Sequence, residues 1–456
     1  MSQRRARRQR LPVEPVRLEV TSLSHEGRGI GYLNGKVVFI DGALPGEIVM
    51  ASYVRKRSQF DELRVIEVEQ PSTQRVTPVC EYADRCGGCS LQHLDAAAQL
   101  DFKQATLLEH LQKTTGLAPD SLTLLPQLKG DTMHYRRKAR LAVRMVMKKG
   151  GALVGFREKY STFITAMDDC KVLVDDVARL LVPLRELISG LLANQDIPQI
   201  EVAVGEQQLD GQPKNRVALV FRHLKSLAEE DQQALRDFAA TQELDLYLQP
   251  AGLDSVHKLY PSEGVERLQY FLPEFDLALN FHPTDFTQVN AEINRRIVSQ
   301  AIQLLEISSD DCVLDLFCGL GNFTLALARR CRRVVGVEGS HEMVLRGEEN
   351  AALNDITNVS FEVANLCDSL TNRDWFKLPF TKVLLDPPRS GAIEIVQQIT
   401  ELRASKIVYV SCNPATLARD AAHLLANGYR LKSAGVMDMF PHTAHVESMA
   451  IFELSN

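Results

Sequence analysis

The segment Val313-Leu-Asp-Leu-Phe-Cys-Gly-Leu-Gly-Asn-Phe-Thr324 joins an apolar run to a turn that contains two glycines. The apolar run predicts a buried strand, and the turn after it opens a predicted helix. Gly319 and Gly321 allow the backbone to pass close to a ligand, where a side chain would collide with it. A strand, a glycine turn and a helix in this order predict a ligand site at the end of a strand in an α/β sheet.

Strand-like runs separated mostly by helical segments continue from about residue 282 to the C-terminus. The six runs are DCVLDLF (311–317), RVVGVEG (333–339), VSFEVAN (359–365), TKVLLDPP (381–388), KIVYVSCNP (406–414) and YRLKSAGVMD (429–438). This alternation predicts a doubly wound, Rossmann-like α/β domain over residues 273–456. Folds of this kind bind ligands at the carboxyl ends of their strands, so the loops after these runs are the candidate site.

The second of these strands ends in Glu338, about twenty residues beyond the glycine turn, where a carboxylate can accept both ribose hydroxyls of a ligand. The turn lacks the third glycine of the dinucleotide fingerprint, and Phe323 fills its neighbourhood. The pattern therefore favours S-adenosylmethionine over a dinucleotide, and the alternative is a turn that serves only helix–strand packing. Three further loops at carboxyl ends of strands contribute Asn365, Asp386 and Cys412.

Cys412 and Glu447 are the candidates for a nucleophile and a base. By itself a cysteine at the end of a buried strand is commonly a small core residue, and a loop carboxylate is commonly exposed. Beside a methyl donor the pair has a defined chemistry, because a thiolate added to carbon 6 of uracil makes carbon 5 nucleophilic. A base must then remove the proton of carbon 5 before the thiolate can leave. Methylation of carbon 5 of a uracil therefore requires a cysteine near the methyl donor and a separate base, and Cys412 and Glu447 are the candidates for these two groups.

Five motifs in order resemble the catalytic domain of the RNA 5-methyluridine methyltransferases. They are Phe-x-Pro-x-Asp-Phe-x-Gln-Val-Asn (281–290), Asp-Leu-Phe-Cys-Gly-x-Gly-Asn-Phe (315–323), Leu-Asp-Pro-Pro-Arg (385–389), Val-Ser-Cys-Asn-Pro (410–414) and Phe-Pro-x-Thr-x-His-x-Glu (440–447). The resemblance implies that Cys412 is the nucleophile and Glu447 the base. It also implies a pocket for the cofactor and the target base that is lined by Gln288, Phe317, Asn322, Glu338, Asn365 and Asp386. Ala444 stands where some members carry glycine.

The N-terminal part predicts a small closed β-barrel over residues 15–72. Five β-rich runs lie between residues 16 and 70 and are separated by glycines. His25-Glu-Gly-Arg-Gly-Ile-Gly and Leu44-Pro-Gly-Glu47 resemble a TRAM domain, an OB-like RNA-binding module. Residues 73–272 mix strands with helices such as VDDVARLLVPLRELISGLL (174–192) and predict a central α+β domain, whose topology the sequence leaves open.

The charge distribution points to an RNA partner. The net charge of -6 argues against a protein that coats nucleic acid over its whole surface. Residues 1–60 nevertheless carry eleven Lys or Arg against five Asp or Glu, and residues 134–149 hold seven basic residues and no acid. Residues 1–14 form a predicted basic tail, and a solvated tail, an RNA-binding arm and a transit peptide remain alternatives for it. Residues 134–149 predict either a phosphate-facing surface or a strand with a merely solvated face.

Nine cysteines, an odd number in a chain without an export signal, favour metal binding or catalysis over structural disulfides. Cys80, Cys86 and Cys89 are spaced as C-x5-C-x2-C, unlike the C-x3-C-x2-C spacing of radical S-adenosylmethionine enzymes. Cys170 is the best fourth donor, because the other five cysteines lie in the predicted α/β domain. The spacing leaves zinc and iron–sulfur equally open. It resembles the iron–sulfur subset of the same family, which implies a [4Fe–4S] cluster on all four cysteines.

Barrel, cysteines and α/β domain together resemble the bacterial enzymes that methylate carbon 5 of uracil in 23S ribosomal RNA. The resemblance implies 23S ribosomal RNA as the partner of a cytoplasmic enzyme, with no membrane segment and no obligate protein partner evident. Two alternatives remain. An amino-group methyltransferase shares the Asp-Pro-Pro loop and does not require Cys412. A non-catalytic RNA-binding or assembly factor is disfavoured by the intact set of Cys412, Asp386 and Glu447.

Overall fold

The computed structural model describes residues 11–118, 121–209, 212–264 and 266–455. They form two compact units, of which the first holds the described residues up to Lys103 together with Phe440–His445. The second holds Gln104–Met439 and the residues from Val446 onward. The predicted domain boundaries after residues 14, 72 and 272 stay predictions. Within the described ranges no helix combines the length and apolar character needed to cross a membrane. The arginines of the predicted basic tail lie outside these ranges, and they are Arg4, Arg5, Arg7, Arg8 and Arg10.

A six-stranded β-barrel occupies the first unit. Its strands are β1 (Val16–Glu19), β2 (Ser22–Leu23), β3 (Gly29–Leu33), β4 (Lys36–Asp41), β5 (Ile48–Lys56) and β6 (Phe60–Gln70), in the order β1-β5-β6-β4-β3-β2. β1 pairs with β5 and β2 pairs with β3, while Val20 N–H donates to the Glu47 carbonyl and Thr21 N–H to the Ile30 carbonyl. Both edges of the sheet therefore lie on one continuous segment, residues 16–23. This arrangement closes the barrel and confirms the prediction.

Alternation of side chains along the barrel strands builds its core. Val38 and Ile40 on β4 and Val49 and Ala51 on β5 are fully buried, and they pack in one cluster with Leu63 of β6. Residues with a period of two lie on the same face of a strand, so each strand gives one face to the interior. The hydrophobic effect of burying these faces stabilises the barrel.

The central part of the second unit contains a six-stranded sheet. It is preceded by α1 (Ala96–Thr115), whose first residues belong to the first unit, and by β7 (Thr123–Leu124). The sheet strands are β8 (Lys138–Val146), β9 (Gly151–Gly155), β10 (Gln199–Leu209), β11 (Gln212–Arg222), β12 (Asp245–Gln249) and β13 (His257–Tyr260), in the order β13-β12-β11-β10-β8-β9. Three helices lie between its strands: α2 (Asp175–Ala178), α3 (Leu181–Gly190) and α4 (Glu229–Thr241).

The stretch at residues 174–192 forms two helices, α2 and α3, where the sequence predicts one. Pro183 is the physical reason, because it has no N–H to donate to the carbonyl of Arg179, four residues earlier. A proline is tolerated in the first turn of a helix, and Pro183 is the third residue of α3. The helical ladder therefore ends after α2 and starts again at Leu181.

The catalytic part begins with a hairpin of β14 (Leu268–Leu272) and β15 (Leu277–Phe281), followed by α5 (Ala291–Leu305). The α/β elements follow: β16 (Cys312–Leu316), α6 (Thr324–Ala328), β17 (Arg333–Glu338), α7 (His341–Leu353), β18 (Val359–Val363), β19 (Lys382–Leu385), α8 (Ile393–Ile399), β20 (Lys406–Ser411), α9 (Pro414–Ala426), β21 (Tyr429–Met437) and β22 (Glu447–Leu454). All six predicted strands are present, and β22 is an additional strand that was not predicted from the sequence.

The strand order places the candidate site. The sheet runs β18-β17-β16-β19-β20-β22-β21-β7, with β22 antiparallel to both of its neighbours. After β16 the chain builds towards β17 and β18, and it then returns to add β19 on the other side of β16. The order therefore reverses between β16 and β19, and α/β sheets bind ligands at the carboxyl ends of the strands at such a switch point. Phe317 follows β16 there, and Asp386 follows β19.

Candidate active site

The glycine turn after β16 has an unusual backbone. Phe317 adopts a left-handed conformation with φ of 64°, and Gly319 and Gly321 have φ of 55° and 98°. A Cβ atom placed on Gly319 would meet no protein atom within 4 Å, whereas one on Gly321 would lie 3.1 Å from Leu325 and 3.3 Å from Phe361. Gly321 therefore permits close packing, and Gly319 leaves open space at the switch point. Left-handed backbone at a non-glycine residue such as Phe317 is commonly found at functional sites.

Glu338 is held against this turn. Its carboxylate accepts hydrogen bonds from the Gly319 N–H at 3.2 Å and from the Ser340 N–H at 3.0 Å. The side chain is half-buried at the end of β17. A carboxylate has about four lone-pair sites, so both oxygens retain acceptor capacity for a ligand. The predicted role of Glu338, to accept two ribose hydroxyls, fits this position.

Asn322 is fixed by a hydrogen-bond network that the sequence pattern does not predict. Its side chain forms two reciprocal amide hydrogen bonds with Asn294 of α5, both of 3.0 Å, and its Oδ1 also accepts from the Tyr270 hydroxyl at 2.9 Å. Gln288 lines the wall of a small pocket that it shares with Tyr270 and Asn294. Asn365 lies exposed after β18, and its Oδ1 accepts from the Cys367 N–H.

Three carboxyl groups approach one another at the switch point. Asp386 is half-buried after β19, its N–H donates to the Leu316 carbonyl, and burial raises the pKa of its carboxyl to about 7. Asp315 is fully buried on β16, and burial together with the charges of Asp386 and Glu338 raises its pKa to about 8, against a hydrogen bond from Thr324. Buried carboxyl groups with raised pKa values favour a cationic ligand, because its charge stabilises their ionised forms. The sulfonium of S-adenosylmethionine is such a cation.

Cys412 and Glu447 lie side by side at the ends of adjacent strands. β20 and β22 pair antiparallel with Ser411 opposite Ser448, so the next positions along the two chains are Cys412 and Glu447. The Ser448 hydroxyl donates to the Ser411 carbonyl at 3.4 Å and links the two strands at this end. Both side chains are half-buried. The structure thus brings the predicted nucleophile and the predicted base together.

The charges around Cys412 define its reactivity. Burial raises the pKa of its thiol to about 11, with further contributions from the carboxylates of Glu447 and Asp386 and an opposing contribution from Arg389. The Asn413 side chain holds the two loops together, because its amide donates to the Arg389 carbonyl at 2.9 Å. The charges of Asp386, Arg389 and Glu447 therefore all act on the thiol. Because its pKa is raised to about 11, the thiol carries its proton at neutral pH.

The predicted iron–sulfur ligands lie in different units. In the first unit Cys86 and Cys89 are buried and Cys80 is half-buried, and the Gly88 N–H donates to Cys86 Sγ at 3.4 Å. Cys170 is buried in the second unit. Across the described ranges no group of three or more His, Cys, Asp or Glu side chains is placed to hold a metal ion. The assignment of a [4Fe–4S] cluster stays a prediction.

Comparison with protein families places this site in a known group. The family described as tRNA (uracil-5-)-methyltransferase matches residues 97–454. The chain belongs to this family. Within the tRNA (uracil-5-)-methyltransferase family, the chain is 51% identical over 452 residues to the 23S rRNA (uracil(1939)-C(5))-methyltransferase RlmD of Hahella chejuensis, with 98% of this chain and 99% of the relative covered. It is also 51% identical to RlmD of Alcanivorax borkumensis, with 98% of each chain covered.

Two further comparisons concern the fold of this family member. A TRAM domain matches residues 9–52, which contain the first four strands of the barrel and part of the fifth. The crystal structure of Pyrococcus abyssi tRNA (uracil-54, C5)-methyltransferase in complex with S-adenosyl-L-homocysteine is similar, with a TM-score of 0.72 and 24% identity. That match covers 96% of this chain and 99% of the other. It confirms the methyltransferase fold of the catalytic part.

Proposed function

We propose that the protein transfers a methyl group from S-adenosylmethionine to carbon 5 of a specific uracil in 23S ribosomal RNA, with Cys412 as nucleophile and Glu447 as base. The main support for the proposal is that Cys412 and Glu447 are cross-strand neighbours on β20 and β22. Asp386, at the switch point, is close enough to affect the pKa of Cys412. The RNA class rests on relatives that are 51% identical over nearly the whole chain and are named as 23S rRNA uracil-C5 methyltransferases.

The chemistry divides between the two residues. Cys412 is half-buried, so its thiol proton can pass to solvent. The Sγ thiolate then adds to carbon 6 of the uracil ring and moves the C5–C6 electron pair towards the carbonyl oxygen at carbon 4. S-adenosylmethionine supplies the electrophilic methyl group that carbon 5 takes. The Glu447 carboxylate then accepts the proton of carbon 5, the C5–C6 double bond forms again, and the thiolate leaves. The base has to act on carbon 5 while the thiolate holds the adjacent carbon, which fits two neighbouring side chains on paired strands.

Arg389 and the nearby carboxyl groups affect the pKa of the Cys412 thiol in this reaction. The thiol must lose its proton before the addition, and Arg389 is the positive group that lowers its pKa against the effect of burial. Neutralising the charge of Asp386 also lowers the thiol pKa, since a nearby like charge disfavours the thiolate. A cationic methyl donor held beside Asp386 would offset the charge of this carboxylate and so favour the thiolate of Cys412.

The test uses a 23S ribosomal RNA fragment and S-adenosylmethionine with a labelled methyl group. We expect 5-methyluridine in the nuclease digest with the wild-type protein and none with Cys412→Ala. Cys367→Ala is the matched control, because this cysteine is exposed in a loop of the same unit. Methylation of an exocyclic amino group that survives Cys412→Ala would overturn the proposal in favour of an amino-group methyltransferase.

The TRAM domain is proposed to bind the RNA outside the active site. Tyr32 on β3 is 58% exposed, and an exposed aromatic ring gives an unpaired base a surface for stacking. Tyr32→Ala is expected to weaken binding of the 23S fragment in a filter-binding assay and to leave the affinity for S-adenosylmethionine unchanged. Unchanged RNA affinity in this variant would exclude Tyr32 as a contact.

We further propose that Cys80, Cys86 and Cys89 hold an iron–sulfur cluster with Cys170 as the fourth ligand. The residues fit such a group in chemistry, because the thiols of the first unit are largely buried and one sulfur accepts a backbone N–H, as cluster sulfurs do. With four cysteine ligands the cluster has no open position, so its role is structural or RNA-contacting. Anaerobically purified protein is expected to contain about four iron atoms per chain and to show the visible absorption of an iron–sulfur cluster. Zinc in place of iron, or equal iron content in Cys86→Ser, would contradict the assignment.

A further inference from the structure

The basic strip predicted at residues 134–149 does not face solvent as a whole. Arg137 pairs with Glu206, and Lys138 donates to the Asp285 carbonyl, while burial lowers the pKa of Lys138 to about 8. Both side chains are half-buried and are held by these contacts within the second unit. The basic residues of the strip that are exposed are Arg140, Arg144, Lys148 and Lys149. The part of the strip that can meet RNA is therefore its second half, at the end of β8 and in the turn after it.

An open pocket of about 410 Å³ lies at this end of β8. Its polar lining consists of Arg144, Arg157, Thr162, Asn194 and Gln195, and we name it the β8 pocket. Val143, Ile164 and Ile197 give it an apolar floor, and these three residues are buried. Its volume falls in the range of about 300–1,000 Å³ that is typical of small-ligand sites. An apolar floor with polar walls suits a flat, partly polar molecule of the size of a nucleotide.

The charge of the β8 pocket is positive. Arg140, four residues before Arg144 on β8, is paired with Glu201 at 2.7 Å, and Arg185 is paired with Asp168. Arg144 and Arg157 have no such carboxylate partner among the described residues. Two exposed guanidinium groups on one pocket attract anions, and a guanidinium binds phosphate oxygens through paired N–H donors. The pocket thus places two exposed guanidinium groups beside an apolar floor.

An exposed aromatic ring lies in the loop that forms one wall. Phe163 is 64% exposed, between the pocket residues Thr162 and Ile164. The loop is ordered by backbone hydrogen bonds, because the Glu158 N–H donates to the Phe163 carbonyl and the Phe163 N–H donates to the Ser161 hydroxyl, both at 2.9 Å. An exposed phenyl ring on an ordered loop beside basic side chains is typical of surfaces that stack single-stranded bases.

We propose that the β8 pocket binds an unpaired nucleotide of the RNA substrate, with Arg144 and Arg157 at its phosphate and its base on the apolar floor. Phe163 lies beside the pocket and would stack on the next unpaired base of the same strand. The inference rests on the proposed function only in taking RNA as the substrate. Arg140 is already paired with Glu201, so it is not part of the site. The nucleotide is distinct from the target uracil, which belongs at Cys412. The pocket would therefore contribute to the affinity and register of the RNA and leave the chemical step unchanged.

The test measures fluorescence anisotropy of a labelled 12-nucleotide oligocytidylate with the full-length protein. This probe contains no uracil, so it does not report the active site. Phe163→Ala is expected to weaken binding by ~10-fold, which corresponds to the loss of one stacked base, and Phe163→Trp is expected to restore it. The double variant Arg144→Ala/Arg157→Ala is expected to lower the slope of log affinity against log salt by ~0.7 for each phosphate that the pocket no longer neutralises.

Controls separate the pocket from general charge and from folding. Arg430→Ala is the matched control, because Arg430 is exposed at the opposite end of β21 from the active site. It is expected to keep the wild-type affinity and salt slope. The substitutions in the pocket replace exposed side chains, so thermal unfolding is expected to stay unchanged. Crosslinking with a 4-thiouridine-containing strand, followed by mass spectrometry, is expected to mark the peptide that contains Phe163.

Failure of this proposal differs from failure of the proposed function. With the 23S fragment, the pocket variants are expected to raise the KM for RNA and to keep kcat, while Cys412→Ala loses all turnover. Wild-type KM, wild-type oligocytidylate affinity and no crosslink at Phe163 would overturn the β8 pocket and leave the methyltransferase function intact. A wild-type protein that binds oligocytidylate through the pocket but transfers no methyl group would overturn the function alone.

Discussion

Replacing Glu447 by Gln separates its two effects on Cys412. Cross-strand neighbours lie about 5 Å apart, and two unit charges at that separation repel by ~0.8 kcal/mol in water and by ~3 kcal/mol at an effective dielectric constant of 20. Because ~1.4 kcal/mol is tenfold in an equilibrium, the thiolate fraction should rise between roughly 4-fold and roughly 150-fold. Both side chains are half-buried, so we expect an increase on the order of tenfold.

Turnover is expected to change in the opposite direction. Without a base the proton of carbon 5 stays in place after methyl transfer, so the Glu447→Gln protein should accumulate a covalent adduct with ordinary uridine-containing RNA. The assay measures alkylation of the Cys412 peptide by iodoacetamide at pH 8 with mass spectrometry, together with a denaturing gel for the adduct. Glu453→Gln is the matched control on the same strand, because Glu453 pairs with Lys406 and Lys432 at the far end of β22. Wild-type alkylation and wild-type turnover in Glu447→Gln would refute the reasoning.

Three further outcomes follow from the geometry of the cofactor site. Gly319→Ala should weaken S-adenosylmethionine binding by at least ~10-fold in calorimetry. Gly428 also has a positive φ, of 90° against 55° for Gly319, so Gly428→Ala introduces left-handed strain on the order of 1–2 kcal/mol or more and should lose only stability. The pKa of Asp386 is raised to about 7, so its carboxyl gains a negative charge as the pH rises through 7. The affinity for S-adenosylmethionine should therefore rise over this pH range relative to the affinity for S-adenosylhomocysteine, whose sulfur is neutral. An Asp386→Asn protein with the same pH profile would exclude Asp386 as the cause. Tyr270→Phe removes one hydrogen bond of about 1 kcal/mol to Asn322, so it should raise the KM for S-adenosylmethionine ~5-fold at constant kcat, and an unchanged KM would contradict a positioning role.

Much of the fold follows from local signals in the sequence. The glycine turn at residues 319–321 and the apolar runs that precede each loop set the strands of the α/β sheet, and the observed strands begin and end close to the predicted ones. The barrel follows in the same way, because alternating residues and glycine turns are local features. The carboxyl-end rule then places Glu338, Asp386 and Cys412 at one edge of the sheet before any contact is known.

The remaining parts of the site depend on contacts between distant segments. Glu447 meets Cys412 because β22 inserts antiparallel between β20 and β21, and the local pattern does not give that order. Tyr270 and Asn294 reach Asn322 from a hairpin and a helix that lie 52 and 28 residues earlier. The basic strip at 134–149 shows the same limit. Arg137 pairs with Glu206 and Arg144 is exposed, but nothing in the local sequence distinguishes the two arginines.

The role of Cys412 as nucleophile can be tested with an RNA that carries 5-fluorouridine at the target position. Fluorine cannot leave carbon 5 as a proton does, so the reaction should stop as a covalent protein–RNA adduct after methyl transfer. We expect a slowly migrating band on a denaturing gel with the wild-type protein and S-adenosylmethionine, and no such band with Cys412→Ala. The absence of an adduct, on an RNA whose ordinary uridine form is methylated, would contradict the role of Cys412 as nucleophile.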